Sequence, residues 1–272
     1  MIRKRSPILT GLLIVWSFAF AAPALAAAPT NDTLAGIETL SVPDSVTLDT
    51  TEATTDADDA SMNPGECGAP ATDASVWYEL TGTGAWVAID VSASTYSAGV
   101  LVTTGPPDFT FVTCGPGAVA WPTETGVSYT ILVIDDQLDG AGNGGTLNME
   151  VAEIPPPPEV TLSVNPRGTF DAHTGAAVIS GTVTCTGGPA EFSFIDVFVR
   201  QKSGRFFIDG EGFIEGFTCD GTSQAWSVDV FPFNGIFKGG RTATVTFAVA
   251  CGEFLCGEGF EETIVSLSSK KR

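Results

Sequence analysis

Cations are scarce in this chain. Twelve Lys and Arg face 32 Asp and Glu over 272 residues, and there is one His. A surface for nucleic acid needs the opposite balance, so the composition argues against that partner. The one imidazole, His173, sits in Asp171-Ala172-His173-Thr174-Gly175, which reads as a turn, and no Gly-x-Ser-x-Gly elbow occurs anywhere. A Ser-His-Asp site would have to use that residue without visible partners, so catalysis of this kind has no support. Helical periodicity is also missing: no convincing amphipathic helix is expected beyond the N-terminal segment. Nor does any stretch past residue 22 have the length and apolarity to span a bilayer, which takes about 20 residues.

The N-terminus carries Arg3, Lys4 and Arg5, then an apolar run over residues 8–22, then Ala24-Leu25-Ala26. This is the n-region, h-region and small-x-small order of a cleaved signal peptide, residues 1–26. With the signal's three cations removed, nine remain against 32 acids, a net charge near −23. Such acidity suits solubility or affinity for cations and basic surfaces. Lys270-Lys271-Arg272 reads as a frayed basic end.

Six cysteines are expected to be oxidised in an exported chain. Cys67 and Cys114 stand alone in the first half and are expected to pair. Cys185, Cys219, Cys251 and Cys256 allow three connectivities, of which Cys185–Cys219 with Cys251–Cys256 is favoured. Zinc lacks the ligand spacing it needs, since Cys251-x4-Cys256 has no second close pair.

Pro155-Pro156-Pro157-Pro158 cannot donate to a sheet and prefers polyproline II, a spacer of roughly 12 Å. It marks a boundary: residues 27–153, a linker at 154–159, and residues 160–272. Both parts read as strands. Val87, Ile89 and Val91 alternate over residues 86–92, Tyr129, Ile131 and Val133 share a face, an apolar run occupies 99–102, and residues 146–151 close the first part. Further candidates are residues 178–185, 192–199, 226–230 and 242–249. Gly, Pro, Asp and Asn clusters between them supply turns. Short strands at regular spacing predict an all-β fold of two tandem β-sandwiches, the first jelly-roll-like and the second immunoglobulin-like.

The first part resembles the bacterial pre-peptidase C-terminal domain over residues 30–152. The resemblance rests on Asn31-Asp32-x-x-Ala35, Ser75-Val76-Trp77-Tyr78-x-Leu80, Gly126-x-x-Tyr129-x-Ile131-x-Val133 and Gly145-Thr146-Leu147-x-Met149-x-Val151. It implies a secreted jelly-roll-like sandwich acting as an accessory or binding module. Two departures bear on a ligand site. Ser97-Ala98 stands where the family often has Asp-Thr, and Gly115-Pro116-Gly117 follows Cys114 where it often has paired acids. Val76, Tyr78 and Leu80 are expected in the core, with Trp77 on the opposite face beneath a loop or between sheets. The second part loosely resembles small immunoglobulin-like domains of exported actinobacterial proteins, through Gly181-Thr182-Val183-Thr184-Cys185 and Phe217-Thr218-Cys219-Asp220-Gly221. The immunoglobulin Cys, Trp, Cys order is absent, because Trp226 follows Cys219.

Two acidic segments, Asp56, Asp58, Asp59 and Glu66, then Asp135, Asp136 and Asp139, are the candidate Ca²⁺ ligands, a cation that needs six to eight oxygens. The family resemblance supports the idea, since related domains of secreted collagenases bind calcium. The EF-hand pattern fails, because Thr146 stands at the twelfth position. No other cofactor is expected. The second part holds Phe206, Phe207, Phe213, Phe217, Phe231, Phe233, Phe237, Phe254 and Phe260. Core packing is expected to take most of them. Phe206, Phe207, Phe231 and Phe233 flank turn residues and are the candidate surface aromatics. Together these readings describe a secreted, non-enzymatic binding or adhesion protein, with a polysaccharide or another extracellular protein as partner. The rivals are a secreted hydrolase with an unrecognised carboxylate pair, and a structural envelope protein.

Overall fold

The computed structural model describes residues 27–63 and 67–270. The signal-peptide reading, Glu66 and the final two basic residues lie outside the described residues. The chain is nearly all β. Its first part comprises β1 (Glu38–Leu40), β2 (Asp44–Asp49), a short helix α1 (Ala57–Met62), β3 (Asp73–Thr81), β4 (Trp86–Asp90), β5 (Ala98–Thr104), β6 (Thr110–Pro116), β7 (Ala118–Pro122), β8 (Ser128–Asp135) and β9 (Thr146–Ile154). A five-stranded sheet runs β1-β3-β8-β5-β6, and a four-stranded sheet runs β2-β9-β4-β7.

Period-two alternation explains how these sheets meet. Val76, Tyr78 and Leu80 of β3 lie with Val87, Ile89, Ile131, Val133 and Leu147 in a core shared by both sheets. On the other face of the five-stranded sheet, Trp77 pairs with Leu132, and Leu132 with Leu101. That row is covered by Met62, Leu34, Ile37 and Phe109, and Trp77 is fully buried. The indole is therefore a core residue with no face for stacking on sugar. The Asn31-Asp32 motif binds this same strand. Asn31 Nδ2 donates to Trp77 O at 3.2 Å, and Trp77 N donates to Asn31 O at 2.8 Å.

The helix α1 corrects the expectation of a helix-free chain. Asp56 caps it by accepting from Asp58 N and Asp59 N, while Asp59 reaches back to Asp56 N, a reciprocal capping box. One and a half turns are too short to show a periodic pattern, so only the cap could have signalled it.

The second part comprises β10 (Glu159–Val164), β11 (Arg167–Phe170), β12 (Ala177–Thr186), β13 (Phe192–Ser203), β14 (Phe206–Glu215), β15 (Ser223–Pro232), β16 (Gly240–Cys251) and β17 (Cys256–Ser269). They form one sheet, β10-β12-β11-β17-β16-β13-β14-β15, and a β12–β15 pairing closes β11 to β17 into a seven-membered, barrel-like ring, which corrects the expected immunoglobulin-like sandwich of two separate sheets. Asn165-Pro166 separates β10 from β11. The former pairs antiparallel with β12, and the latter pairs parallel with β17. Ile179, Val197, Val199, Trp226, Val228, Phe237 and Val265 fill the interior.

The expected disulfides form: Cys67–Cys114, Cys185–Cys219 and Cys251–Cys256. Among the described residues no helix is long and apolar enough to cross a membrane. The proline run is more than a spacer. Pro156 O accepts from Gly188 N at 3.0 Å, and a Cβ at Gly257 would stand 1.7 Å from Pro158 O. Glycine at position 257 is what lets the run lie against β17.

Candidate functional site

The hairpin of β13 and β14 builds the most distinctive surface. Its two-residue turn, Gly204-Arg205, places Gly204 at φ +63°, a conformation suited to a tight hairpin. On β13 the odd-numbered residues from Ser193 to Gln201 point inward and are buried, so Phe192, Phe194, Asp196, Phe198, Arg200 and Lys202 face out. Register then assembles an outward face across four strands. Asp196 lies between Phe213 of β14 and Phe247 of β16, and Phe247 pairs with Phe260 of β17. Phe198 lies between Glu211 and Val245, and Val245 pairs with Glu262. Phe194 lies between Glu215 and Val249, and Val249 pairs with Glu258.

The rings touch. Centroid separations are 5.5 Å for Phe192–Phe194, 5.4 Å for Phe194–Phe213, 6.4 Å for Phe198–Phe247 and 5.1 Å for Phe247–Phe260. They nevertheless face solvent: Phe260 is 57% exposed, Phe213 49% and Phe192 48%. The expectation that core packing takes most of the Phe residues is therefore corrected. Of the nine singled out from sequence, Phe237 is fully buried, Phe217 and Phe254 are half-buried, and the other six are exposed. Phe206, Phe207, Phe231 and Phe233 are among those six, as expected of them. Soluble chains rarely expose contiguous aromatic surface without a use for it.

Carboxylates interleave with the rings. Asp196 Oδ1 is shielded from solvent and has no hydrogen-bond partner. Burial, and then the nearby Glu211 carboxylate, push the Asp196 carboxyl above its ordinary range. Arg200 Nε meets Asp209 Oδ1 at 2.5 Å, and its guanidinium carbon lies 5.7 Å from the centre of the Phe207 ring. A groove of about 440 Å³ opens here, lined by Phe198, Arg200, Asp209, Phe233, Val245 and Glu262.

The acids proposed for calcium serve other ends. Asp56 and Asp59 cap α1. Asp58 stands in its exposed first turn, on the surface. Asp135 accepts from Gln137 N and Gly144 N, Asp136 from Ser97 Oγ and Leu138 N, and Asp139 from Ala141 N. Both oxygens of Asp135, and Oδ1 of Asp136 and of Asp139, are engaged by backbone amides or a hydroxyl. Among the described residues no group of three or more metal-ligating side chains gathers. Asp59 is fully buried, accepts from Ser75 Oγ at 2.8 Å, and has its carboxyl raised to about 6, chiefly by desolvation. Ser75 belongs to the tryptophan-bearing motif, so that motif is tied to the capped helix. His173 lies in the expected turn, where its backbone N–H and that of Thr174 donate to Asp171 and hold that carboxyl below its ordinary range.

The departures from the family pattern also come together. Gly99, Gly115, Pro116 and Asp136 line a groove of about 290 Å³ over the Cys67–Cys114 disulfide, and Ser97 bonds Asp136 at 2.6 Å. Glycine and proline there leave an apolar wall with one carboxylate already engaged.

No family model matches the chain, and no curated protein matches it. Among solved structures, a Bordetella pertussis protein solved under the name ApaA matches at 17% identity and a TM-score of 0.29, over 42% of this chain and 98% of that one. A β-glucuronidase of Parabacteroides merdae matches at 11% identity and TM-score 0.25, over 71% of this chain and 28% of that one. A β-galacturonidase of Eisenbergiella tayi, solved with glycerol, matches at 12% identity and TM-score 0.22, over 71% and 35%. The chain spans about a third or less of either glycosidase. Likeness this distant carries no argument, and neither enzyme's activity transfers.

Proposed function

We propose that this is an exported, non-enzymatic binding or accessory protein of two β units in tandem, a sandwich followed by a barrel-like sheet. Its binding surface is the aromatic face of β14, β13, β16 and β17. The observation that carries the reading is the run of exposed, mutually contacting rings. It lies on a sheet whose other side is a packed core, so folding of the chain does not require the rings. Three disulfides accord with work outside the cell. The sandwich, with Trp77 buried and its acids engaged, supplies a scaffold in keeping with the pre-peptidase C-terminal resemblance.

The test is whether the folded chain presents apolar surface. The mature protein should bind an apolar-surface dye while still melting cooperatively. A Phe213→Ser, Phe247→Ser, Phe260→Ser variant should lose most of that signal with its melting temperature kept. Absence of dye binding by the folded wild type overturns the reading.

One observation favours a second reading. Asp196 and Glu211 are neighbouring carboxylates and the former is held high, which is the minimum a glycoside hydrolase requires. A secreted hydrolase would show turnover in a broad glycoside screen that Asp196→Asn abolishes. The binding reading expects none.

A further inference from the structure

We propose that the face of β14, β13, β16 and β17 docks an arginine-bearing segment of another polypeptide, each guanidinium seated between a phenyl ring and a carboxylate. The inference rests on the binding reading above and names its partner class.

The chain contains its own example of the pairing. Arg200 reaches out from the face, bonds Asp209 and lies against the Phe207 ring. A guanidinium is suited to this, because it is weakly hydrated, planar and able to stack while it donates. The same ring-and-carboxylate unit recurs along the register. Asp196 lies between Phe213 and Phe247, Glu211 opposite Phe198, and Glu215 opposite Phe194. Arg200 to Asp209 is the ion pair among the described residues, so none of those residues pairs with the carboxylates of the other units. Asp196 and Glu211 bring two carboxylates close together on this face, a repulsion that an arriving guanidinium relieves.

Charge decides among occupants. Asp196, Asp209, Glu211, Glu215, Glu258 and Glu262 face out here, against Arg200, Lys202 and Arg241. Two copies meeting through this face would bring like charges together, and the whole chain carries −20. An anionic polymer or lipid is repelled for the same reason. A neutral glycan could stack on the rings, but it would bury the carboxylates without a counter-charge. Arginine satisfies rings and carboxylates together, whereas lysine satisfies mainly the charge.

The experiment is titration of the mature chain, by calorimetry, with a short peptide alternating arginine and glycine. The comparison peptides carry lysine or citrulline in place of arginine. The expected order is arginine tighter than lysine, and lysine tighter than citrulline. Citrulline, which keeps the plane but loses the charge, should bind at least about tenfold more weakly, since the contact is charge-assisted. Raising the salt should weaken arginine binding. Asp196→Asn with Glu211→Gln, and separately Phe198→Ala with Phe247→Ala, should each weaken it about fivefold or more at unchanged melting temperature. If the arginine peptide does not bind, or citrulline binds equally, the inference is overturned. If the dye signal of the preceding section persists in that case, the binding face stands and only its partner class is wrong. A concentration-dependent dimer dissolved by the Phe198→Ala, Phe247→Ala change would instead make a second copy the occupant, and would also overturn the inference.

Discussion

At the residue scale, Asp59 shows how an acid in a ligand-like cluster can serve the fold. Its Oδ2 accepts from Asp56 N and Ser75 Oγ, while its Oδ1 is buried without a partner. Its folded carboxyl, near 6, lies above the 3.8 of the unfolded chain. Folding therefore takes up a proton at this position. The associated stability is fully present below about pH 3.8 and is lost as pH rises through 6. Asp44, Asp49, Asp171 and Asp220 act in the opposite sense, because their carboxyls are lowered by hydrogen bonds. The comparison with Asp59→Asn isolates the one residue. The asparagine keeps one acceptor for the cap and removes the buried charge. We expect the variant to be about 1–2 kcal/mol more stable at pH 7.5, less than the shift in full would give because its amide N–H₂ inherits the unpartnered position. The gain should shrink to nothing by pH 4. Denaturant melts of both proteins at these two pH values check it. A variant less stable at pH 7.5 refutes the assignment.

At the scale of elements, the disulfides differ in what each closes. Cys67–Cys114 spans a sequence separation of 47 and ties the covering segment to β6. Cys251–Cys256 spans 5 and joins directly opposed residues at the end of the β16–β17 hairpin. Loop-closure entropy then predicts a loss of about 4 kcal/mol on removing the first pair and about 2 kcal/mol for the second. Serine double variants, compared by urea midpoints, test the ranking. Equal losses would mean that the hairpin bridge holds more than its own loop.

These elements also show what was legible. Strands with one apolar and one polar face, such as β4, declare themselves by alternation. The strand β13 does not declare its inside, because Phe192, Phe194 and Phe198 alternate with Ile195, Val197 and Val199, and both sets are apolar. Which set is buried is decided by the strands on either side, which sequence alone does not place. For that reason sequence alone assigns aromatic residues such as Phe213 and Phe260 to the core, while the turn residues beside Phe206 and Phe233 signal exposure. The strands β1 and β2 carry little sequence signal because little of them is buried: Leu40 is the one buried residue of the two.

At the scale of the molecule, the strands fall into two sets. No pairing joins β1–β9 to β10–β17, and each set encloses its own core. These observations support the proposed tandem arrangement, and the proline run bears on where its boundary falls. Pro156 bonds Gly188, and Pro158 lies against Gly257, so the run packs as part of the second unit. Expressed separately, residues 27–154 and residues 155–272 should each unfold in one cooperative transition. A fragment starting at residue 159 loses one backbone hydrogen bond and uncovers the surface beside Gly188 and Leu255. It should be less stable than the fragment starting at 155, by about 1–2 kcal/mol on the hydrogen bond and the small apolar area together. Calorimetric melts of the three fragments decide the matter. If the two C-terminal fragments melt alike, the prolines are only a spacer. If the separate halves fail to melt cooperatively while the whole chain does, the units depend on each other and the tandem reading falls.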